Sequence, residues 1–114
     1  MLNVFTDAAM VNSTKFAIAV YSNRHRESMV VEETDSNMAE YRAALFAIGL
    51  FGETNVRIHT DSRYAVDKVK ALAPAGINVS ITWIPREDNP AHTLVSAKKE
   101  DYRRRQIRKS KERR

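Results

Sequence analysis

Apolar positions alternate with small or polar ones through the first third of the chain, and the period then lengthens to that of a helix. Leu2 to Thr6, LNVFT, reads as a short buried strand that stops at Asp7. In KFAIAVYS, Lys15 to Ser22, the residues Phe16, Ile18 and Val20 alternate with small ones. That pattern predicts a second strand whose outer face is also covered. NRHR reads as a turn, and Glu27 to Thr34 as a third strand. The short connections predict an antiparallel meander. Met38, Tyr41, Leu45 and Ile48 then recur at helical spacing, with Ser36 or Asn37 as N-cap and Gly52 as the stop. Asn55 to Thr60 is a fourth strand, and DSRYAVDKVKALA a helix opened by Asp61 or Ser62. Only APAG joins that helix to a fifth strand, Ile77 to Pro85, whose Trp83 is expected in the core. A last helix opens after Asn89 and dissolves into the basic segment YRRRQIRKSKERR. The predicted order is βββαβαβα.

Composition fits a single domain: 114 residues with 43% hydrophobic content. With no cysteine, disulfides and thiolate zinc sites are excluded. No apolar run approaches the ~20 residues of a membrane span, and the N-terminus lacks the pattern of a signal peptide. A cytoplasmic location with no membrane partner is the expectation. The net charge of +5 is unevenly placed. Residues 98–114 carry ten Lys and Arg against three Asp and Glu, or +7, which leaves −2 on residues 1–97. This predicts a body, 1–97, and a segment, 98–114, that ends the last helix in a basic tail. The asymmetry points to a polyanion, nucleic acid first, and otherwise to a solvated charged tail.

Candidate chemistry lies where the strands end. Asp7 and Asp61 each follow a hydrophobic strand, in NVFT-D and RIHT-D. In an α/β sheet, ligands gather at the carboxyl ends of parallel strands. If the first and fourth strands are parallel neighbours, the two carboxylates converge, and Glu40 leans over the same edge from the helix. Three close carboxylates repel one another, and a hard divalent ion is the natural remedy. Two such ions ~3.5–4 Å apart activate a water and stabilise the leaving oxygen of a phosphodiester. Taken singly, each residue also has a plain structural role. An Asp ending a strand serves as a turn or cap, and a Glu in a first helical turn favours the helix dipole.

VFTDAA, NMAEYRAAL, IHTDSRYAV and WIPREDNPAHTLV, in that order, resemble the motifs of the type 1 ribonuclease H family over nearly all of residues 1–97. The resemblance implies an α/β fold: a five-stranded mixed sheet, strands one to three antiparallel and one, four and five parallel, flanked by helices. It implies a metal-dependent endonuclease that hydrolyses the RNA strand of RNA/DNA hybrids, with Mg²⁺ or Mn²⁺ in a two-metal site. Asp7, Glu40 and Asp61 match the family's metal-binding acids. The segment DAAMVNSTK lacks the family's glycines, the loop PREDN is short and lacks its usual histidine, and no basic protrusion is present.

His92 stands where the family has a fourth acid. Three readings follow. Imidazole serves as a ligand or orients water, and as a ligand it suits Mn²⁺ better than Mg²⁺. Alternatively, three carboxylates work with a weaker second ion, or the protein has lost catalysis and only binds. Asn37, Ser62, Arg63 and Arg86 are the expected substrate contacts. Asn37 and Ser62 are equally candidate helix caps, and Arg63 is equally an exposed helix residue. The tail is expected to hold nucleic-acid backbone. His25, in a turn, and His59, facing sheet or solvent, are not candidates. The rivals to a hybrid-cleaving enzyme are an inactive nucleic-acid-binding module and a same-fold nuclease for double-stranded RNA or DNA junctions.

Overall fold

The computed structural model describes residues 2–51, 55–72 and 79–112. Three strands form the expected meander: β1 (Leu2–Asn12), β2 (Lys15–Tyr21) and β3 (Arg26–Glu32). β4 (Val56–Thr60) adds parallel to β1, and β5 (Ser80–Trp83) parallel to β4. The sheet order is β3-β2-β1-β4-β5, the mixed five-stranded arrangement expected. Helices α1 (Ser36–Phe51) and α2 (Arg63–Lys70) pack on one face. α3 (Ala91–Glu112) crosses the other face over β1, β2 and β3. No helix of the described residues is long and apolar enough to cross a membrane.

The alternation in β2 explains this sandwich. Phe16, Ile18 and Val20 point toward α1, while Ala17 and Ala19 point toward α3, and all are buried. The small side chains let α3 lie close to the strand, where Ala91 and Val95 meet them.

Four expectations need correction. β1 does not stop at Asp7 but runs on to Asn12. Its parallel pairing with β4 ends at Phe5, while its antiparallel pairing with β2 continues to Asn12. Asp7 therefore lies where β1 loses one neighbour, not where the strand ends. In α1 the fully buried residues are Ala39, Ala43, Ala44 and Ala47, not the larger Met38, Tyr41, Leu45 and Ile48. The helix is apolar nearly all round, so its periodicity is ambiguous, and the closest approach to the sheet selects the smallest residues. Trp83 is 40% exposed, because β5 is an edge strand and its ring lies outside the core. Finally, α3 does not dissolve at Tyr102 but stays helical to Glu112. Arg103 fastens it with two bonds to the Val11 carbonyl, at 3.3 and 3.0 Å, and Arg105 pairs with Asp101 one turn back at 3.1 Å.

One helix start differs in detail, and one falls among the residues expected. Asp35, rather than Ser36 or Asn37, caps α1, its Oδ1 accepting from the Asn37 and Met38 N–H groups at 2.8 and 3.4 Å. Ser62 caps α2, accepting from Ala65 N–H at 3.1 Å. The predicted stop at Gly52, the APAG connection and the start of strand five at Ile77 lie outside the described residues.

Asn89 ties the start of α3 to the sheet. Its Oδ1 accepts from Ala91 N–H at 3.1 Å, and its Nδ2 donates to the Thr6 carbonyl at 2.9 Å. The residue is buried, so its loss strands two polar backbone groups. Asn89→Ala should cost about 1–3 kcal/mol. That lowers the thermal unfolding midpoint by roughly 5–10 °C, measurable by circular dichroism.

Candidate metal centre

Three elements aim acids at one corner. Asp7 comes from the point on β1 beyond which β4 no longer pairs. Asp61 follows β4 directly, and nested bonds fix its turn: Ser62 N–H donates to Thr60 Oγ1 at 3.1 Å, and the Trp83 indole N–H to the Asp61 carbonyl at 3.1 Å. Glu40 sits just over one turn into α1, which the Asp35 cap holds in place. One ligand oxygen from each of Asp7, Glu40 and Asp61 lies within 4.8 Å of the others.

The electrostatics of this corner are unfavourable without a positive partner. Two unit charges at that separation repel by roughly 3–4 kcal/mol at an effective dielectric of about 20. Burial and the charges of Asp7 and Asp61 push Glu40 up to about 9. Burial and the Asp61 charge also raise Asp7, against smaller opposing hydrogen bonds from Ala8, His92 and Glu40. Asp7 Oδ1, Glu40 Oε2 and Asp61 Oδ1 are buried and have no hydrogen-bond partner outside the acidic trio among the described residues. Buried polar atoms are rarely left unsatisfied. Three unpartnered carboxylate oxygens facing one point are a donor set suited to a hard divalent cation.

His92 joins the corner through Asp7. Its Nδ1 lies 3.1 Å from Asp7 Oδ2, while the carboxylate itself is 1% exposed and the imidazole 46%. With Asp7 ionised, Nδ1 carries the proton and donates, which leaves Nε2 free. The imidazole thus lies outside the tight trio of oxygens, in contact with one of its members.

A profile of the RNase H family matches residues 1–109. The chain belongs to the RNase H family. Membership places it in general terms among nucleases that act on RNA in hybrids with DNA, with divalent ions as the family's usual cofactor. No curated protein matches the chain.

In this RNase H chain the acidic corner opens into a groove of about 780 Å³ that also holds the other expected residues. Asn37 is exposed on the groove wall, its capping role taken by Asp35. Ser62 also lines it, with its hydroxyl engaged in the cap of α2. Arg86 donates from Nε to Asp61 Oδ2 at 3.3 Å and is mostly exposed. Arg63 lies over the Trp83 ring, 4.5 Å from its centroid. Trp83, expected in the core, thus supports an arginine and an Asp61 carbonyl instead.

Sequence reasoning missed Met10, Tyr64, Ser96 and Lys99, which also line the groove. Ser96 and Lys99 were findable: His92, Ser96 and Lys99 have the i, i+4, i+7 spacing of one helix face. Met10 was hidden by the early stop assigned to β1.

The raised Glu40 fixes a sign for the pH dependence. Between the ordinary value of 4.5 and about 9 the folded protein holds a proton that the unfolded chain has lost. Stability in chelator should therefore fall as pH rises through this window, by at most about 1.4 kcal/mol per pH unit for one proton. Glu40→Gln should flatten the slope, and Mg²⁺ or Mn²⁺ should restore stability at the alkaline end. Thermal unfolding across a pH series, with and without chelator, measures all three effects.

Proposed function

We propose that this protein is a metal-dependent endonuclease that hydrolyses the RNA strand of RNA/DNA hybrids. The observation that carries the reading is the convergence of three buried, unpartnered carboxylate oxygens in a chain of the RNase H family. Asp7, Glu40 and Asp61 hold Mg²⁺ or Mn²⁺ in a two-metal site. The chemistry such ions supply when bound is an activated water and stabilisation of charge at the leaving oxygen. His92 orients Asp7 through Nδ1 and presents Nε2 to the groove for a water or for the leaving group. A histidine bound to a ligating carboxylate commonly tunes the site in this way.

The remaining residues bind. Asn37, uncommitted to a cap, has a donor and an acceptor for a base edge or 2′-hydroxyl in the minor groove of a hybrid. Arg63, on the Trp83 ring, and Arg86, paired with Asp61, take phosphate oxygens. Ser62 acts through the turn it caps. Residues 1–97 carry the nuclease body. The basic half of α3 adds sequence-independent affinity for the nucleic-acid backbone.

Cleavage of a labelled hybrid with Mg²⁺ or Mn²⁺ tests this reading. The wild type should leave 3′-hydroxyl and 5′-phosphate ends, and Asp7→Asn should abolish cleavage. Failure of the wild type with either ion leaves the binding-only reading, which the His92 contact on Asp7 Oδ2 favours by occupying that oxygen.

His92→Ala should lower activity or metal affinity about 10- to 100-fold, with His92→Asp recovering part of the loss. Arg63→Ala and Arg86→Ala should raise KM more than they lower kcat, as expected for contacts made equally in ground and transition states. Steady-state kinetics and metal titrations on the four variants separate these roles. An Ala variant at His92 that matches wild type in both would remove His92 from the site.

A further inference from the structure

A second groove of about 780 Å³ lies elsewhere on the molecule and shares no lining residue with the acidic one. Asn3, Phe5, Arg24 and His59 are among its walls. It exists because α3 packs over β1, β2 and β3, which leaves the β4 side of that sheet face open, with Arg57 exposed and His59 half-buried. The two grooves use different stretches of the same strand, Phe5 preceding Asp7 by two positions.

The strand register builds an aromatic row here. Phe5 pairs with Tyr21 on one side and with His59 on the other. The Phe5 and His59 rings stack at 4.7 Å with 21° between their planes, and Tyr21 meets Phe5 edge-on at 6.3 Å. Asn3 Oδ1 lies 3.0 Å from His59 Nε2 and fixes the imidazole plane. Burial, and then the charge of Arg57, lower the His59 pKa, so the ring is neutral near pH 7. Arg24 and Arg57 flank the row, and neither has an ion-pair partner among the described residues. None of the described residues lining the groove is acidic.

Aromatic faces on an open sheet, flanked by unpaired cations, suit one kind of polyanion. A duplex hides its base faces in the stack, whereas a single strand offers them. We propose that this half of the sheet is a second nucleic-acid site, one that takes single-stranded RNA or DNA with a base against the Phe5–His59 stack and phosphates on Arg24 and Arg57. The site is separate from the catalytic reading and stands or falls without it.

Fluorescence anisotropy of labelled oligouridylate and oligothymidylate, titrated with the full chain in chelator, tests the site without cleavage. The two probes show whether the 2′-hydroxyl matters. His59→Ala should weaken binding about tenfold. The exposed pair Arg24→Gln and Arg57→Gln should weaken it and flatten its salt dependence. Because these arginines are surface residues, that variant remains a fair test even if His59→Ala unfolds. Lys68→Gln with Lys70→Gln, exposed on α2 across the sheet, should retain most of the affinity. Undetectable binding by the wild type, or unchanged binding by a folded arginine variant, overturns the proposal. So does loss confined to the α2 variant, or wild-type self-association in sedimentation that the sheet variants abolish. Hybrid cleavage, where present, should be unaffected by the sheet variants.

Discussion

Asp7, Glu40 and Asp61 hold oxygens of like charge within 4.8 Å of one another in a buried corner. A folded chain does not form such a corner unless its frame resists being pushed apart. The frame is the parallel pair β1 and β4, buried on the helical face by Val4, Val56 and Ile58. Thr6 and Thr60 are completely buried beside the two aspartates, and the Thr60 hydroxyl is used in the turn that presents Asp61. Glu40 is brought in by the alanine face of α1, which permits the helix to approach the sheet closely. Hydrophobic packing thus supplies the rigidity, and a proton or a cation relieves the repulsion. The high value of Glu40 is the protonic solution to the problem that a divalent ion solves electrostatically.

Much of this was legible in the sequence because the informative signals were local. Period-two alternation in β2 and the change to helical spacing after Asn37 give the order of elements, and short connections give the antiparallel meander. The convergence of Asp7 and Asp61 followed from one assumption, that strands one and four are parallel neighbours, which the register bears out. What was not legible depends on tertiary context. Nothing local says that β1 continues past Asp7, since the continuation is held by β2 alone. Nothing in a nearly all-apolar helix says which stripe lies closest to the sheet. Trp83 looks like core because it is large and apolar, and it is partly exposed because β5 is the edge strand of the sheet among the described residues.

The edge position of Trp83 has a consequence for the site. Its indole N–H holds the Asp61 carbonyl, and its ring carries Arg63. A guanidinium resting on an aromatic face is partly ordered before any ligand arrives, so less conformational entropy is lost on binding. Trp83 therefore links the geometry of the acid to that of a neighbouring cation. Arg86 binds Asp61 directly, and this pair competes with any role for Arg86 on a phosphate.

His92 stands where the resemblance to the family leads one to expect a fourth acid, and the structure sets its imidazole against Asp7. A fourth carboxylate would add to the burial and repulsion that together hold Glu40 up at about 9. Imidazole adds a donor instead. By donating to Asp7 Oδ2 it favours the ionised form of that acid, which is the form a cation needs. The exchange therefore lowers the charge available to attract a second ion while making the first acid easier to ionise. These effects oppose each other. Asn89 makes the arrangement exact enough to matter, since it clamps the first turn of α3 to the carbonyl of Thr6, the residue directly before Asp7.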